Sequence, residues 1–159
     1  MKNLESLLAE LESKISQQSA LNEAVSKAPV GWHIEHILLV INGIISRLKR
    51  SNPAEFKGAF NMSRFIVFTT GIIPRGRAKA PETVVPKPFD TESLAAHIAI
   101  AKERIKQLDD MNPNFFMEHP FFGHLRKEDT IKFLRIHTNH HLKIINDILN
   151  KKNCVNSSF

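Results

Sequence analysis

Apolar residues recur at intervals of three and four in four segments of the chain, and each segment predicts a long helix. The first covers residues 3 to about 18, where a row of glutamates lies opposite the apolar face. The second covers residues 32–50 and ends in a basic turn, which suits a helix C-terminus. The third runs from the N-cap candidates Asp90 and Thr91 to about residue 111, and the fourth from about residue 127 to about residue 151.

The 52–90 stretch between the second and third helices cannot be one long element. It contains an apolar piece, MSRFIVFTTGII, and then four prolines and two glycines within residues 71–88. We predict a long crossover with one or two short helices. Residues 112–125 read as a loop rich in Phe and His, and no segment shows a strand pattern. The pattern favours an all-α four-helix bundle over residues 1–151, with a frayed tail over 152–159.

Composition agrees with one globular domain. The chain has 159 residues, of which 42% are hydrophobic and 24% charged, and this excludes a collagen-like or wholly disordered protein. The single cysteine, Cys154, excludes an internal disulfide and every cysteine-framework zinc fold, and it indicates a reducing compartment. With no signal peptide and no apolar run near the ~20 residues that cross a bilayer, we expect a cytoplasmic protein without a membrane partner.

The charge balance suits a negatively charged partner without identifying one. Lys and Arg number 22 against 16 Asp and Glu, a formal net charge of +6. Only the basic segment Arg75, Arg77, Lys79 and Lys87 favours nucleic acid. It lacks interleaved aromatic residues and a helix-turn-helix signature, so a solvated loop is the preferred interpretation. No phosphate loop or nucleophile elbow is present either.

Two of the eight histidines, His137 and His141, lie near the middle of the apolar stripe of the fourth helix. Residues four apart on a helix have β-carbons about 5–6 Å apart, so both rings can reach one metal ion. The alternative is a pair of hydrogen-bonded core residues, which would need a polar partner for each ring. We favour a metal site for this pair.

A third ligand has to come from another helix, and the second helix offers His33 and His36. Helical phase favours His33, roughly 60° from the stripe centre, over His36 at roughly 120°. A ligand at the edge of a bundle need not lie in mid-stripe, so phase leaves the choice open.

Two segments resemble the DinB-like family of metal-dependent proteins, particularly its branch of small bacterial bundles. The start of the second helix, PVGWHIEHI, resembles the family pattern slGqilaHl, with Gly31 and His36 in register. HPFFGHLRKED followed by RIHTNHHLKI resembles the pattern HPfFGkLt followed by rHldHHlrQ. The resemblance spans roughly residues 4–148.

The resemblance implies a four-helix bundle with an up-down-down-up course and a divalent metal held by His36, His137 and His141. Three family positions differ here. The Gln after the HH pair is Ile144, the Trp early in the fourth helix is Ile131, and the Lys of the FGkL segment is His124. These differences affect the surroundings of the site and not the ligands.

Three neutral imidazoles would leave the metal an open coordination position, as in catalytic zinc sites. The resemblance supports a hydrolase or a low-molecular-weight-thiol S-transferase acting on a small molecule. Zinc is the expected ion, with nickel, iron and manganese as other options, and a thiol as an additional cofactor. The alternative is a non-catalytic bundle with a structural metal or a partner-binding role.

No acidic residue lies on the inner stripe of the fourth helix, so proton handling falls to other candidates: His33, His140, His119 and His124. Each could equally be an exposed or loop histidine, and His97 reads as a boundary residue. A Phe cluster could wall the site, although closing the end of the bundle is the preferred role; its members are Phe115, Phe116, Phe121 and Phe122. The apolar side of the crossover could face a second copy, which predicts a homodimer through Phe60, Phe65, Phe68, Ile72 and Ile73.

Overall fold

The computed structural model describes residues 2–76 and 81–153, and most of these residues are helical. The elements are α1 (Leu4–Glu12), α2 (Val30–Lys49), α3 (Met62–Thr70), α4 (Thr91–Lys106), β1 (Phe116–His119), β2 (Gly123–Arg126) and α5 (Lys127–Asn153). Cys154, Arg77, Lys79 and the predicted tail beyond residue 153 lie outside the described residues. Among the residues described, no helix combines the length and apolar character needed to cross a membrane.

The core lies between the four helices that the sequence predicts. α2 contacts both α4 and α5, and α1 also contacts both. Each helix contributes fully buried aliphatic side chains, which interdigitate as in other protein interiors. They include Leu7, Leu8 and Leu11 of α1, Ile34, Ile41 and Ile45 of α2, Leu94 and Ile98 of α4, and Leu134, Ile145 and Ile148 of α5.

Two predicted helices are shorter than expected. α1 ends at Glu12 and not near residue 18, and a separate 3₁₀ turn at Ile15–Gln17 continues its apolar stripe. α4 ends at Lys106 and not near residue 111, although Leu108 and Met111 remain buried. The ammonium of Lys127 is buried here and donates to the carbonyls of Leu108 and Met111, at 3.2 and 3.1 Å. These bonds stabilise a non-helical turn that apolar periodicity cannot distinguish from helix.

The prediction that the chain contains no strand is wrong. β1 and β2 form an antiparallel hairpin in which Met117 pairs with Leu125 and His119 pairs with Gly123. Gly123 has φ +69°, a conformation that glycine adopts without the Cβ clash of other residues, and it follows a three-residue loop. Strands of four residues are too short for an alternating pattern to stand out from a loop.

The start of α2 packs closely against the end of the crossover. A Cβ added to Gly31 would lie 2.3 Å from Cε2 of Phe89, so the missing side chain is what lets the Phe89 ring pack there. A 3₁₀ turn at Glu82–Val84 also contacts α2. We refer to residues 82–89 as the 82–89 segment.

The crossover contains one short α-helix, α3, as predicted. Only Val67 of α3 is buried, while several large apolar side chains on and beside it face solvent. They are Phe60, Met62, Phe65, Ile66 and Ile72, together with Phe121 of the hairpin loop. Phe68 and Ile73 instead pack against the core. The homodimer stays a prediction, with this surface as its expected interface.

Replacing Gly31 with Ala should destabilise the protein by about 1–3 kcal/mol, because the new methyl group must displace Phe89. Gly43→Ala is the matched control in the same helix. No atom lies within 4 Å of its added Cβ, so it should stabilise by about 0.5–1 kcal/mol through helix propensity. Thermal and urea unfolding measure both variants. Equal effects of the two substitutions on stability would contradict the close packing of Phe89 against Gly31.

Phe65→Glu should convert a dimer to a monomer in light scattering coupled to size-exclusion chromatography. The six exposed apolar side chains offer on the order of 600 Å² per copy, near the ~800 Å² that each partner of a stable complex buries. Ala99→Glu, which introduces the same charge at an exposed position of α4, should leave the dimer intact. A parent protein that is monomeric at all concentrations would refute the prediction.

Candidate metal centre

Three imidazoles converge between α2 and α5. They belong to His36, His137 and His141, and one ring nitrogen from each lies within 4.8 Å of the other two. The ring centroids are 4.6 Å apart for His137 and His141, and 5.2 and 4.8 Å from His36. We call these three residues the histidine cluster.

Local sequence explains this convergence. His137 and His141 are stacked one turn apart on α5, as the apolar phase predicts. Phase was a poor guide on α2, because the first two turns of that helix are buried nearly all round. His33, Glu35 and His36 are all buried there, between aliphatic neighbours, so no exposed side defines the stripe. Both histidines of α2 therefore reach the α5 side.

His36 is held from two sides. Its Nδ1 lies 2.7 Å from the carbonyl oxygen of Val84 in the 82–89 segment, so this nitrogen must carry the proton and donate it. The indole of Trp32 stacks on the ring at 5.1 Å and an interplanar angle of 11°. The two contacts fix the ring and leave Nε2 unprotonated, as a metal ligand requires.

His33 lies beside the cluster and not in it. Its Nδ1 is 3.0 Å from Nδ1 of His141, and its Nε2 is 3.0 Å from the hydroxyl of Ser26. The ring therefore bridges a loop hydroxyl and a member of the histidine cluster. Burial lowers the pKa of His33 to about 4, so the ring is neutral near pH 7.

His137 contains a buried nitrogen for which the described residues provide no hydrogen-bond partner, namely Nδ1. The ring packs against Phe133, with centroids 5.5 Å apart. Buried polar atoms are nearly always paired in proteins, so an unpaired ring nitrogen beside two other imidazoles calls for a partner from outside the chain. A cation shared by the histidine cluster fits this donor set.

The electrostatics of the cluster keep its rings in the form that binds metals. Burial lowers the pKa of His36, and burial with the neighbouring imidazoles lowers the pKa of His137 and His141 further. All three rings are therefore neutral near pH 7. Neutral imidazole, with a free lone pair, is the form that coordinates a divalent ion.

The other predicted histidines have different surroundings. His140 meets His141 edge-on, with ring centroids 5.1 Å apart, so it borders the cluster. His119 stacks on Phe122 and accepts from the backbone N–H of Phe121, and burial lowers its pKa to about 4.

His124 is remote from the cluster in its contacts. It stacks on Phe116 and accepts from the backbone N–H of Lys57. These contacts tie the hairpin to the crossover, and the proton-handling role of His124 stays a prediction.

The Phe cluster is divided between two roles. Phe122 contacts His119 and Phe133, and Phe133 contacts His137, so this part of the Phe cluster is linked to the histidine cluster through Phe133. Phe121 is exposed, while the remaining members pack elsewhere: Phe116 on Phe56 and His124, and Phe115 at the edge of the core.

Carboxylates are directed away from the histidine cluster in the described structure. Asp147 pairs with Arg75 at 2.8 Å, and Glu35 pairs with His97 at 2.9 Å. The Glu35–His97 pair joins α2 to α4 and was missed from the sequence, where His97 was read as a boundary residue. An acid between Ile34 and His36, within the mainly apolar start of α2, together with a histidine on the helix that packs against it, is the signal that could have found the pair.

Comparison with known proteins gives one result. A protein-family model described as the DinB superfamily matches residues 2–145, a range that includes the whole histidine cluster. No curated protein and no solved structure matches the chain.

Proposed function

The chain belongs to the DinB superfamily, and from this membership we propose that it binds one divalent metal ion through His36, His137 and His141. Zinc is the ion that three neutral imidazoles suit best, with nickel, iron and manganese as alternatives. The observation that carries the proposal is the convergence of three neutral rings, one with a buried nitrogen that has no partner in the described chain. A hydrogen-bonded core would have paired that nitrogen.

The proposal includes the bundle arrangement that the resemblance implies. α1 and α2 each contact α4 and α5, which supports four helices in one bundle with an up-down-down-up course. α3 and the hairpin are then additions at the crossover and before α5.

We propose further that the site is catalytic and transfers a low-molecular-weight thiol to an electrophilic small molecule. Because the three histidines would hold the ion as neutral ligands, its double positive charge would be retained and would supply Lewis acidity that lowers the pKa of an entering thiol or water. Among the described residues, no carboxylate belongs to the histidine cluster as a possible general base: Asp147 pairs with Arg75, and Glu35 pairs with His97. A thiol, with a pKa near ~8.5, needs less help to ionise than water at ~15.7, so thiol transfer is favoured over hydrolysis.

In this reaction the S–H proton passes to solvent, the sulfur forms a bond to an electrophilic carbon, and the leaving group departs with its electron pair. The chain's own residues contribute position and charge. The guanidinium of Arg75 pairs with Asp147 of α5. Burial is the largest cause of the lowered pKa of His33 and of His140, and the positive charge of Arg75 lowers both pKa values further. This positive charge favours an anionic thiol or electrophile at the rim of the site.

Untagged protein reconstituted with zinc should contain one ion per chain by elemental analysis, and His141→Ala should remove it. Trp32 is the only tryptophan, the chain has no tyrosine, and the indole stacks on His36, so metal binding should change its fluorescence. His124→Ala is the control, because His124 is remote from the cluster in its contacts and its loss should leave the zinc content unchanged. Full zinc occupancy in His141→Ala would refute the ligand assignment.

Zinc-loaded protein should consume thiol in conjugation assays with small electrophiles, and chelator or His141→Ala should abolish this activity while His124→Ala retains it. Ester and amide substrates tested in parallel measure the hydrolase alternative. A large fall in melting temperature with chelator, without turnover of any substrate, would instead support the structural metal site.

A further inference from the structure

Either ring can be the donor in the hydrogen bond between His33 Nδ1 and His141 Nδ1. At 3.0 Å they form a hydrogen bond only if one carries a proton and the other does not. If His141 carries it on Nδ1, then its Nε2 is free to bind a metal. If His33 carries it there, the neutral His141 ring has its proton on Nε2 and cannot bind a metal through that atom.

We propose that Ser26 and His33 together hold His141 in the tautomer that ligates metal through Nε2. The inference rests on the proposed metal site. His141 then donates from Nδ1 to His33 Nδ1, and His33, whose proton is on Nε2, donates to the Ser26 hydroxyl oxygen at 3.0 Å. The backbone N–H of Ala28 also donates to this oxygen, at 3.1 Å. In this arrangement the two donors occupy the two lone pairs of the hydroxyl oxygen.

The partner of His141 differs in kind from the partner of His36. The partner of His36 is the carbonyl of Val84, which can only accept, so one contact fixes the tautomer of that ligand. The partner of His141 is an imidazole, which can donate or accept at Nδ1. Ser26, which contacts the other nitrogen of His33, can accept from His33 Nε2, and this arrangement leaves His33 Nδ1 free to accept from His141.

The surroundings hold this arrangement in place. His33 is 4% exposed, and Trp32 packs edge-on against its ring at 5.3 Å. The loop that carries Ser26 is tied down by backbone bonds from Ser26 to Asn22 and from Val30 to Ala20. His33 is thus a positioning residue that acts through His141, and the three-histidine set that shares one point does not include it.

Zinc affinity separates this role from a packing role. Because partners behind a metal ligand typically contribute 10–100-fold in affinity, His33→Leu should weaken zinc binding by about that factor without changing the one-to-one stoichiometry. His33→Asn keeps an acceptor oxygen near the Nδ1 position and should restore most of the affinity. Ser26→Ala should weaken binding less than His33→Leu does, and His124→Leu, the remote control, should not change it. Circular dichroism checks that each variant is folded.

Nitrogen-15 NMR of the histidine rings in zinc-loaded parent protein tests the tautomers directly. We expect His141 protonated on Nδ1 and bound through Nε2, and His33 protonated on Nε2. A metal-shifted nitrogen on His33 would make it a fourth ligand and overturn the proposal, as would unchanged affinity in both His33→Leu and Ser26→Ala. Those results leave the metal site itself intact, whereas a parent protein that binds no zinc refutes both proposals.

Discussion

The packing of α2 against α5 brings histidine rings into an interface that is otherwise mainly apolar, and the rest of the site depends on this contact. Burial in such an interface disfavours the charged imidazolium, so the rings of His36, His137 and His141 are neutral near pH 7. The nitrogens of a buried neutral ring need hydrogen-bond or metal partners, because a buried nitrogen without a partner lowers the stability of the fold. The contacts of Val84, His33 and Ser26 follow from that requirement.

The crossover serves the same interface from outside. The 82–89 segment reaches α2 at two points, where the Val84 carbonyl accepts from His36 and where the Phe89 ring lies against Gly31. Farther back along the chain, Arg75 pairs with Asp147 of α5. A long connection with five prolines therefore has a structural use, since it contacts both helices that carry the histidine cluster. The glycine at position 31 matters to the site because it admits the ring that ends this segment.

Sequence patterns predicted the helices and the α5 histidines well because both depend on local periodicity. Leu134, His137, His141 and Ile145 share a face for the same geometric reason, and no tertiary information was needed. The hairpin was missed because four-residue strands have too little alternation to read. His36 could not be chosen over His33 by phase, since the start of α2 is buried on all sides. The resemblance to a family, which compares residues position by position, supplied His36 where periodicity could not.

The contacts behind the ligands were beyond reach for a different reason. Val84 acts through its backbone carbonyl, so its side chain has no bearing on the contact, and any residue with that backbone position would serve. Ser26 is one of many polar loop residues, and only the fold shows that its hydroxyl meets His33. Pairs that join distant parts of the chain, such as Glu35 with His97, need the packing of α2 on α4 to be known first.

The three members of the histidine cluster differ in the partners that the chain gives their ring nitrogens. Nδ1 of His36 contacts a carbonyl and Nδ1 of His141 an imidazole, while Nδ1 of His137 is buried without a partner in the described chain. An unpaired buried nitrogen raises the free energy of the metal-free protein. Two rings are thus oriented before any ion arrives, so little ordering is needed at them. An ion bound through Nδ1 of His137 would also give this buried nitrogen a partner and so lower the free energy of the folded protein.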